Sequence, residues 1–215
     1  MANGTKEKIL NTALMMFAEK GYEGTSLREL LAELGFTKAA FYKHYQSKEE
    51  LWDAVLDAMD NYYAERFGSM EHLPPVPKSP AELRALTLRM LDFTIHDEKI
   101  IMTRKLLLTE LFHDERVSML ATRHFSEGLE ALFAKLFSGM MENGSLKKED
   151  PAMLALCFTA PVSTLVRLSD REPKRQKECM EKIEAFLDHF LWIYGQPGTE
   201  TRVADAAVIK DGGNE

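Results

Sequence analysis

The stretch GFTKAAFYKHYQSKEEL, residues 35–51, determines how the rest of the chain is interpreted. It contains a glycine turn, a capping threonine at position 37 and a short run of helix formers, and Ser47 then starts a further helix. From Phe36 to Lys48 it has three lysines and one histidine but no aspartate or glutamate. Because the whole chain of 215 residues has a net charge of −7, a purely basic window calls for an explanation.

Two helices are predicted on the N-terminal side of this stretch. In residues 5–20 apolar side chains recur at i, i+3 and i+4, as on one face of a helix. A second, short helix follows Ser26, which can form a capping box with Glu29, and ends at Gly35. Together with the next helix, it has the spacing of a helix-turn-helix.

The third helix, predicted from Thr37 to about Tyr45, has an exposed basic side. That side comprises Lys38, Ala39, Ala40, Tyr42 and Lys43. The two alanines would allow a close approach to base edges in a major groove. Tyr42, His44 and Lys48 can donate hydrogen bonds to phosphates. An acid in this window would face a phosphate and weaken binding, which accounts for the absence of aspartate and glutamate.

Residues 5–52 resemble the DNA-binding domain of TetR-family transcriptional repressors. The matching residues are Phe17, Gly21, Tyr22, Thr25, Leu30, Gly35, Phe41, Tyr42, Tyr45, Lys48, Glu49 and Leu51. The resemblance implies an N-terminal three-helix domain that binds double-stranded operator DNA and a helical C-terminal domain for ligand binding and dimerisation. It places Arg28, Lys38, Ala39, Ala40 and Lys43 near bases, and Thr25, Tyr42, His44 and Lys48 near phosphates.

The rest of the chain also has helical patterns, so the predicted fold is all-α. A fourth helix is predicted from Lys48 to about Met70, and further helices over about 80–96, 98–112, 114–142, 149–170 and 173–194. The predicted domains are a helix-turn-helix domain at 1–50, a helical ligand-binding and dimerisation domain at 51–195, and a flexible tail at 196–215. We expect the fourth helix to transmit a change between the ligand site and the DNA-binding site.

Helical spacing suggests the walls of a ligand pocket. These are Tyr63, Phe67, Met90, Phe93, Thr94, Met102, Leu106, Thr109, His124 and Phe158. Most are apolar with a few polar tips, so a hydrophobic or aromatic inducer is expected and no cofactor. The alternative is that these residues fill a solid core.

A homodimer is expected because one helix-turn-helix reads only a few base pairs. The last two helices would form a four-helix bundle with those of a second copy, as the resemblance also implies. The predicted interface consists of Leu154, Val162, Leu165, Ile183, Phe186, Leu187 and Phe190.

Several other classes of protein are disfavoured. Cys157 and Cys179 lack metal-ligand spacing, and the cluster His113–Glu115 with His124 lacks an i, i+4 pair, so no metal is expected. No nucleophile motif indicates an enzyme. No apolar run reaches 18 residues and the N-terminus lacks a signal-peptide pattern, so a cytoplasmic protein with no membrane segment is expected. Two alternatives stay open: an activator, or a helical carrier protein whose helix-turn-helix is only structural.

Overall fold

The computed structural model describes residues 2–67 and 73–196, and within them regular structure is helical. One isolated bridge joins Leu146 and Gly195. The helices are α1 (Ala2–Gly24), α2 (Leu27–Leu34), α3 (Lys38–Phe41), α4 (Lys48–Phe67), α5 (Pro80–His96), α6 (Glu98–Glu110), α7 (Glu115–Phe125), α8 (Glu127–Glu142), α9 (Pro151–Arg171) and α10 (Gln176–Tyr194), with a short 3₁₀ helix at Pro173–Arg175. The all-α prediction is confirmed. The predicted tail lies outside the described residues apart from residue 196.

The helix caps and the glycine turn of the helix-turn-helix form as the sequence predicts. The Ser26 hydroxyl accepts from the Glu29 N–H, and the Glu29 carboxylate accepts from the Ser26 N–H. Gly35 ends α2 with φ 68°, a left-handed conformation that costs a glycine little. The Thr37 hydroxyl accepts from the Ala40 N–H and starts α3. The chain therefore reverses between α2 and α3 without an uncapped helix end.

Two predicted helices differ from those observed. The third helix, predicted to reach about Tyr45, ends at Phe41 and continues as turns. The single helix predicted over 114–142 is interrupted at Ser126, where φ is −140° and ψ −96°. Serine competes for backbone hydrogen bonds, and Gly128 follows two residues later, so this position resists helix formation.

The described residues form two compact units. The first comprises residues 2–67 with 95–124, and the second residues 73–94 with 125–196. In the first unit α1 packs against α2, α4 and α6. Its buried stripe includes Ile9, Ala13 and Phe17, each with 0% exposure. The packing boundary therefore does not coincide with the domain boundary predicted after residue 50, because α6 and α7 pack with the N-terminal helices.

The second unit is built around a cluster of aromatic rings from α8, α9 and α10. Phe158 lies 4.8 Å from both Phe133 and Phe190, measured between ring centroids, and 5.3 Å from Phe137. All four rings are buried. Helix α9 is long and apolar enough to cross a membrane by length and composition alone, a test that core helices also pass, and 33% of its most apolar window is buried in the protomer. The protomer's core therefore accounts for only part of the apolar character of α9.

Candidate nucleic-acid interface

The predicted DNA-reading residues lie on the outside of α3 and the turns that follow it. Lys38, Ala39, Tyr42 and Lys43 are exposed, and Tyr42 has 51% of its surface accessible. Arg28 on α2 is also exposed, whereas Ala40 and His44 are half-buried. Phe41 and Tyr45 on the opposite side are buried, at 0% and 2% exposure. This stretch thus has one apolar side that anchors it and one basic side that faces solvent.

Thr25 differs from the other predicted phosphate contacts. It has 1% exposure, and its hydroxyl donates to the carbonyl oxygen of Gly21 at 2.9 Å. The hydroxyl also lies 3.2 Å from the Met16 carbonyl oxygen. A phosphate could engage this hydroxyl only if these bonds broke. In this structure the Thr25 hydroxyl closes the end of α1, and its contact with a phosphate stays a prediction.

Lys48 lies on an aromatic platform at the start of α4. Its ammonium nitrogen is 3.9 Å from the centroid of the Tyr22 ring, within the range of a cation–π contact. The Tyr22 ring in turn lies 5.0 Å from the Trp52 ring. Burial, followed by the hydrogen bond to Glu49, raises the pKa of Tyr22 to about 12. Tyr22 is therefore a neutral ring at neutral pH, and it holds the predicted phosphate-binding lysine at the edge of the helix-turn-helix.

Helix α6 and the start of α7 brace this platform from behind. The Glu110 carboxylate, with 8% of the residue exposed, accepts a hydrogen bond from the Tyr22 backbone N–H at 3.1 Å. The Trp52 indole N–H donates to Asp114 at 2.9 Å. Sequence reasoning missed Glu110 and Asp114, because nothing in the chain order brings them close to residues 22 and 52. No local pattern in the sequence marks either acid as a brace.

Helix α7 is also tied to the outer face of α4. Asp53, Asp57 and Asp60 follow one another at i, i+4 and i+7 on α4. Arg116 pairs with the first two, at 2.9 Å to Asp53 and 2.5 Å to Asp57. Arg123 pairs with Asp60 at 2.7 Å. These pairs are partly exposed, so each contributes little alone, and their value lies in fixing the register of two helices.

Three predicted ligand residues lie together at the far end of α4. The Tyr63 ring lies between His124, at 4.3 Å, and Phe67, at 5.2 Å, measured between ring centroids. His124 Nε2 is 2.9 Å from Asp60 Oδ1. Burial lowers the pKa of His124, and the charge of Asp60 opposes this shift. In the same unit Leu106 is buried, Met102 is half-buried and Thr109 is exposed.

The other predicted ligand residues belong to the second unit. Phe93 is 42% exposed, whereas Phe158 has 1% exposure and is a central member of the aromatic core. Met90 and Thr94 are half-buried, and the Thr94 hydroxyl donates to the Met90 carbonyl at 2.7 Å. In this unit Phe158 packs against other aromatic rings, as expected if the predicted pocket residues instead fill a solid core.

The predicted dimer residues also divide by burial. Four are buried inside the protomer, namely Leu154, Ile183, Leu187 and Phe190, with exposures of 0–4%. Val162, Leu165 and Phe186 are partly buried against the same core. A side chain already enclosed in its own chain has little surface to offer a second copy. The exposed apolar side chains on these helices are instead Met153, Leu156 and Trp192, at 59%, 43% and 78%.

Comparison with known proteins connects this geometry with a family. A family model described as "Bacterial regulatory proteins, tetR family" matches residues 9–55, which cover the buried α1 stripe from Ile9 onward, α2, α3 and the platform at Lys48. Residues 9–55 therefore match the TetR family, and solved structures that cover about 90% of the chain show the same fold. Its curated relatives are named as transcriptional regulators and not as enzymes. The resemblance found in residues 5–52 is thereby confirmed.

Three similar proteins illustrate the extent of the match. The uncharacterized HTH-type transcriptional regulator YerO of Bacillus subtilis is 34% identical over 112 residues, which are 50% of this chain and 36% of that protein. The HTH-type transcriptional regulator AcrR of Shigella flexneri is 29% identical over 113 residues, 52% of this chain and 50% of that protein. The chain thus spans half or less of the length of these relatives. The SmeT–triclosan complex has a TM-score of 0.69 at 21% identity, covering 90% of this chain and 92% of that one, and SmeT is the repressor of a Stenotrophomonas maltophilia multidrug efflux pump.

Proposed function

We propose that this chain is a transcriptional regulator that binds operator DNA, acts as a repressor, and is released by a small hydrophobic or aromatic molecule. The observation that carries the proposal is the two-sided segment from Phe36 to Lys48. Its apolar side is buried, and its solvent side has basic and small side chains without an acid. Such a surface fits a phosphate-lined groove, and operator binding would place the protein in the bacterial cytoplasm.

The exposed residues have two roles in this proposal. Lys38, Ala39, Ala40 and Lys43, with Arg28 from α2, would lie against bases. Tyr42, His44 and Lys48 would contact phosphates and set the register of the helix on the duplex. The cation–π contact with Tyr22 supports the role of Lys48, because it orients the ammonium group before DNA arrives.

Salt-dependent binding tests the DNA-binding part directly. We expect the protein to bind a duplex of about 30 base pairs, long enough for two half-sites one turn apart, with an affinity that falls steeply as salt rises. Lys48→Ala should weaken binding to every sequence about equally and reduce the salt slope by about one per protomer. Lys38→Ala should instead cost roughly 1–3 kcal/mol at the cognate operator and relax specificity there. A protein without salt-dependent duplex binding would favour the alternative of a helical carrier.

The inducer part of the proposal rests on helix α4. This helix begins at Lys48 and ends at Phe67, so Tyr63 and Phe67 lie about 23 and 29 Å from Lys48 along it at 1.5 Å per residue. Arg116, Arg123 and His124 of α7 hold its outer face through three aspartates. A ligand that displaced the His124 ring from Tyr63 would shift α4 and, with it, Lys48. A coupling of 1–3 kcal/mol between the two sites would weaken DNA binding about 5–150-fold.

The expected ligand class follows from the side chains at that end of α4. They are aromatic rings with one imidazole and one carboxylate, which suits an apolar molecule with a single polar group. The triclosan bound by SmeT belongs to this class and is a suitable first probe. If triclosan or a similar phenol releases the duplex from wild-type protein, His124→Ala should change the concentration required. An unchanged concentration would place the ligand elsewhere.

We also propose that the regulator is a homodimer formed through α9 and α10. The apolar side chains left exposed on these helices support this, with Met153 and Leu156 on α9 and Trp192 on α10. Only 33% of the most apolar window of α9 is buried by its own chain. Burying this surface against a second copy would also provide two recognition helices roughly 34–36 Å apart.

A further inference from the structure

Two lysines near the start of α1 lie beside residues 36–48, here called the recognition segment. The Lys6 ammonium nitrogen is 5.6 Å from the centroid of the Tyr45 ring, and that of Lys8 is 5.7 Å from the centroid of the Phe36 ring. Both lysines precede the residues matched by the family model, which begins at residue 9. They also lie outside the basic window at residues 36–48. Neither the family match nor the basic window therefore assigns them a role.

Their positions follow from the geometry of α1. Lys6 is three residues before Ile9, the first core residue of α1, so it lies on the same face of the helix as the buried stripe. Its long apolar stem can cover the ring of Tyr45 while its charged end stays in water. Lys8 does the same at Phe36, which is half-buried. Both lysines are exposed, so their charges are available to a partner.

The two rings mark the ends of the segment that carries the proposed DNA contacts. Phe36 immediately precedes Thr37, the N-cap of α3, and Tyr45 lies three residues before Lys48. The two ammonium groups therefore flank the recognition segment at its beginning and its end. Each resembles Lys48, which also lies over an aromatic ring. Lysines at the rim of a recognition helix face the sugar–phosphate backbone on either side of the groove.

The charges near these lysines are also suited to binding an anion. Within residues 2–67 and 73–196, the ion pairs of α1 include Lys20 with Glu29 at 3.2 Å but none formed by Lys6 or Lys8. Lys20 is thus an exposed lysine on the same helix that already has an acidic partner. The contact with a ring restrains each ammonium group without neutralising it.

We propose that Lys6 and Lys8 are two further phosphate contacts, which extend the DNA-binding surface from the helix-turn-helix onto the start of α1. The proposal rests on the DNA-binding function proposed above. It assigns the lysines to affinity and register but not to base reading, because they lie at the rim of the recognition segment and not on its exposed side.

The test is the dependence of duplex affinity on salt, measured by fluorescence anisotropy with a random-sequence duplex of about 30 base pairs. Each of Lys6→Gln and Lys8→Gln should reduce the slope of log affinity against log salt by about 0.9 per lysine, or about 1.8 for a homodimer. Lys6→Arg and Lys8→Arg keep the charge and should retain the wild-type slope. Lys20→Gln is the matched control and should also leave the slope unchanged.

The outcomes separate this inference from the proposed function. If wild-type protein binds with a steep slope and both glutamine variants share that slope, Lys6 and Lys8 are not phosphate contacts. A lower melting temperature with an unchanged slope would likewise overturn the inference, because it would reduce the two lysines to stabilising contacts with the rings. If wild-type protein shows no salt-dependent binding, the proposed function fails and this inference fails with it.

Discussion

At the residue scale, Gly21 shows why a single position in α1 admits only glycine. Its φ of 75° and ψ of 171° interrupt the helix, a conformation that side chains with a Cβ rarely adopt. A Cβ at this position would also lie 2.5 Å from the Glu110 carboxylate oxygen. The same carboxylate binds the next backbone N–H, that of Tyr22. Gly21 is thus required by its backbone conformation and by the group packed against it.

Three glycine-to-alanine substitutions separate these two effects. Gly35→Ala introduces left-handed strain in open space and should lower the free energy of unfolding by about 1–2 kcal/mol. Gly21→Ala should cost more, about 2–4 kcal/mol, because it adds the displacement of a buried carboxylate to the strain. Gly4→Ala, with nothing within 4 Å, should be neutral or stabilising by up to about 1 kcal/mol.

Urea unfolding of the three variants measures these differences. In a Glu110→Ala background the extra cost at Gly21 should shrink, since the oxygen that clashes with the new Cβ is gone. Equal losses for Gly21→Ala and Gly35→Ala in the wild-type background would contradict the role assigned to Glu110.

At the element scale, α8, α9 and α10 are held together by aromatic rings that pack in tilted and edge-to-face arrangements. Phe158 of α9 contacts Phe133 and Phe137 of α8 and Phe190 of α10. A residue at the centre of such a cluster contributes to stability whether or not a ligand binds nearby. The sequence pattern could not distinguish this position from a pocket wall, because both require an apolar side chain at helical spacing.

Truncation of Phe158 should therefore lower the free energy of unfolding more than truncation of a residue that only contacts a ligand. Phe158→Ala should lower the free energy of unfolding by about 3–5 kcal/mol, through lost burial and a cavity among the rings. Phe93→Ala, at a side chain that is 42% exposed, should change it by about 0.5 kcal/mol or less. Thermal or urea unfolding measures both, and comparable losses would contradict the assignment of Phe158 to the core.

At the scale of the whole molecule, the proposed homodimer depends on what the protomer leaves uncovered. Trp192 is 78% exposed at the end of α10, and its ring stacks 5.9 Å from the ring of His189. Large exposed aromatic side chains of this kind often dominate the energy of an interface. Phe190, two residues earlier, points into the core of its own protomer.

Charge substitutions on the exposed side chains test this interface. Trp192→Glu with Leu156→Glu should give a folded monomer, with about 2 kcal/mol or more of association energy lost for each anchor. Light scattering after size exclusion measures the mass, and circular dichroism checks that the helices remain. Met15→Glu, at an exposed apolar residue of α1, is the control and should stay dimeric. A dimeric double variant that still binds DNA would contradict the interface, whereas Phe190→Glu should simply fail to fold.

The sequence by itself determined the helical fold, the capping box at Ser26, the glycine turn at 35, and the basic side of the recognition segment. These features depend on neighbours within about one helical turn, so local propensity and spacing are enough to predict them. The resemblance to the TetR family followed from the same residues, since the matching motif is concentrated in 9–55.

Only the tertiary structure decided which apolar residues are core and which are surface, and which distant groups brace the DNA-binding helices. A stripe on α9 or α10 is equally apolar whether it faces its own chain or a second copy, so Phe190 and Trp192 could not be distinguished from spacing. Glu110 reaches Tyr22 across 88 positions of sequence, and Asp114 reaches Trp52 across 62. Such pairs form when packing brings two helices together, and no local pattern encodes that contact.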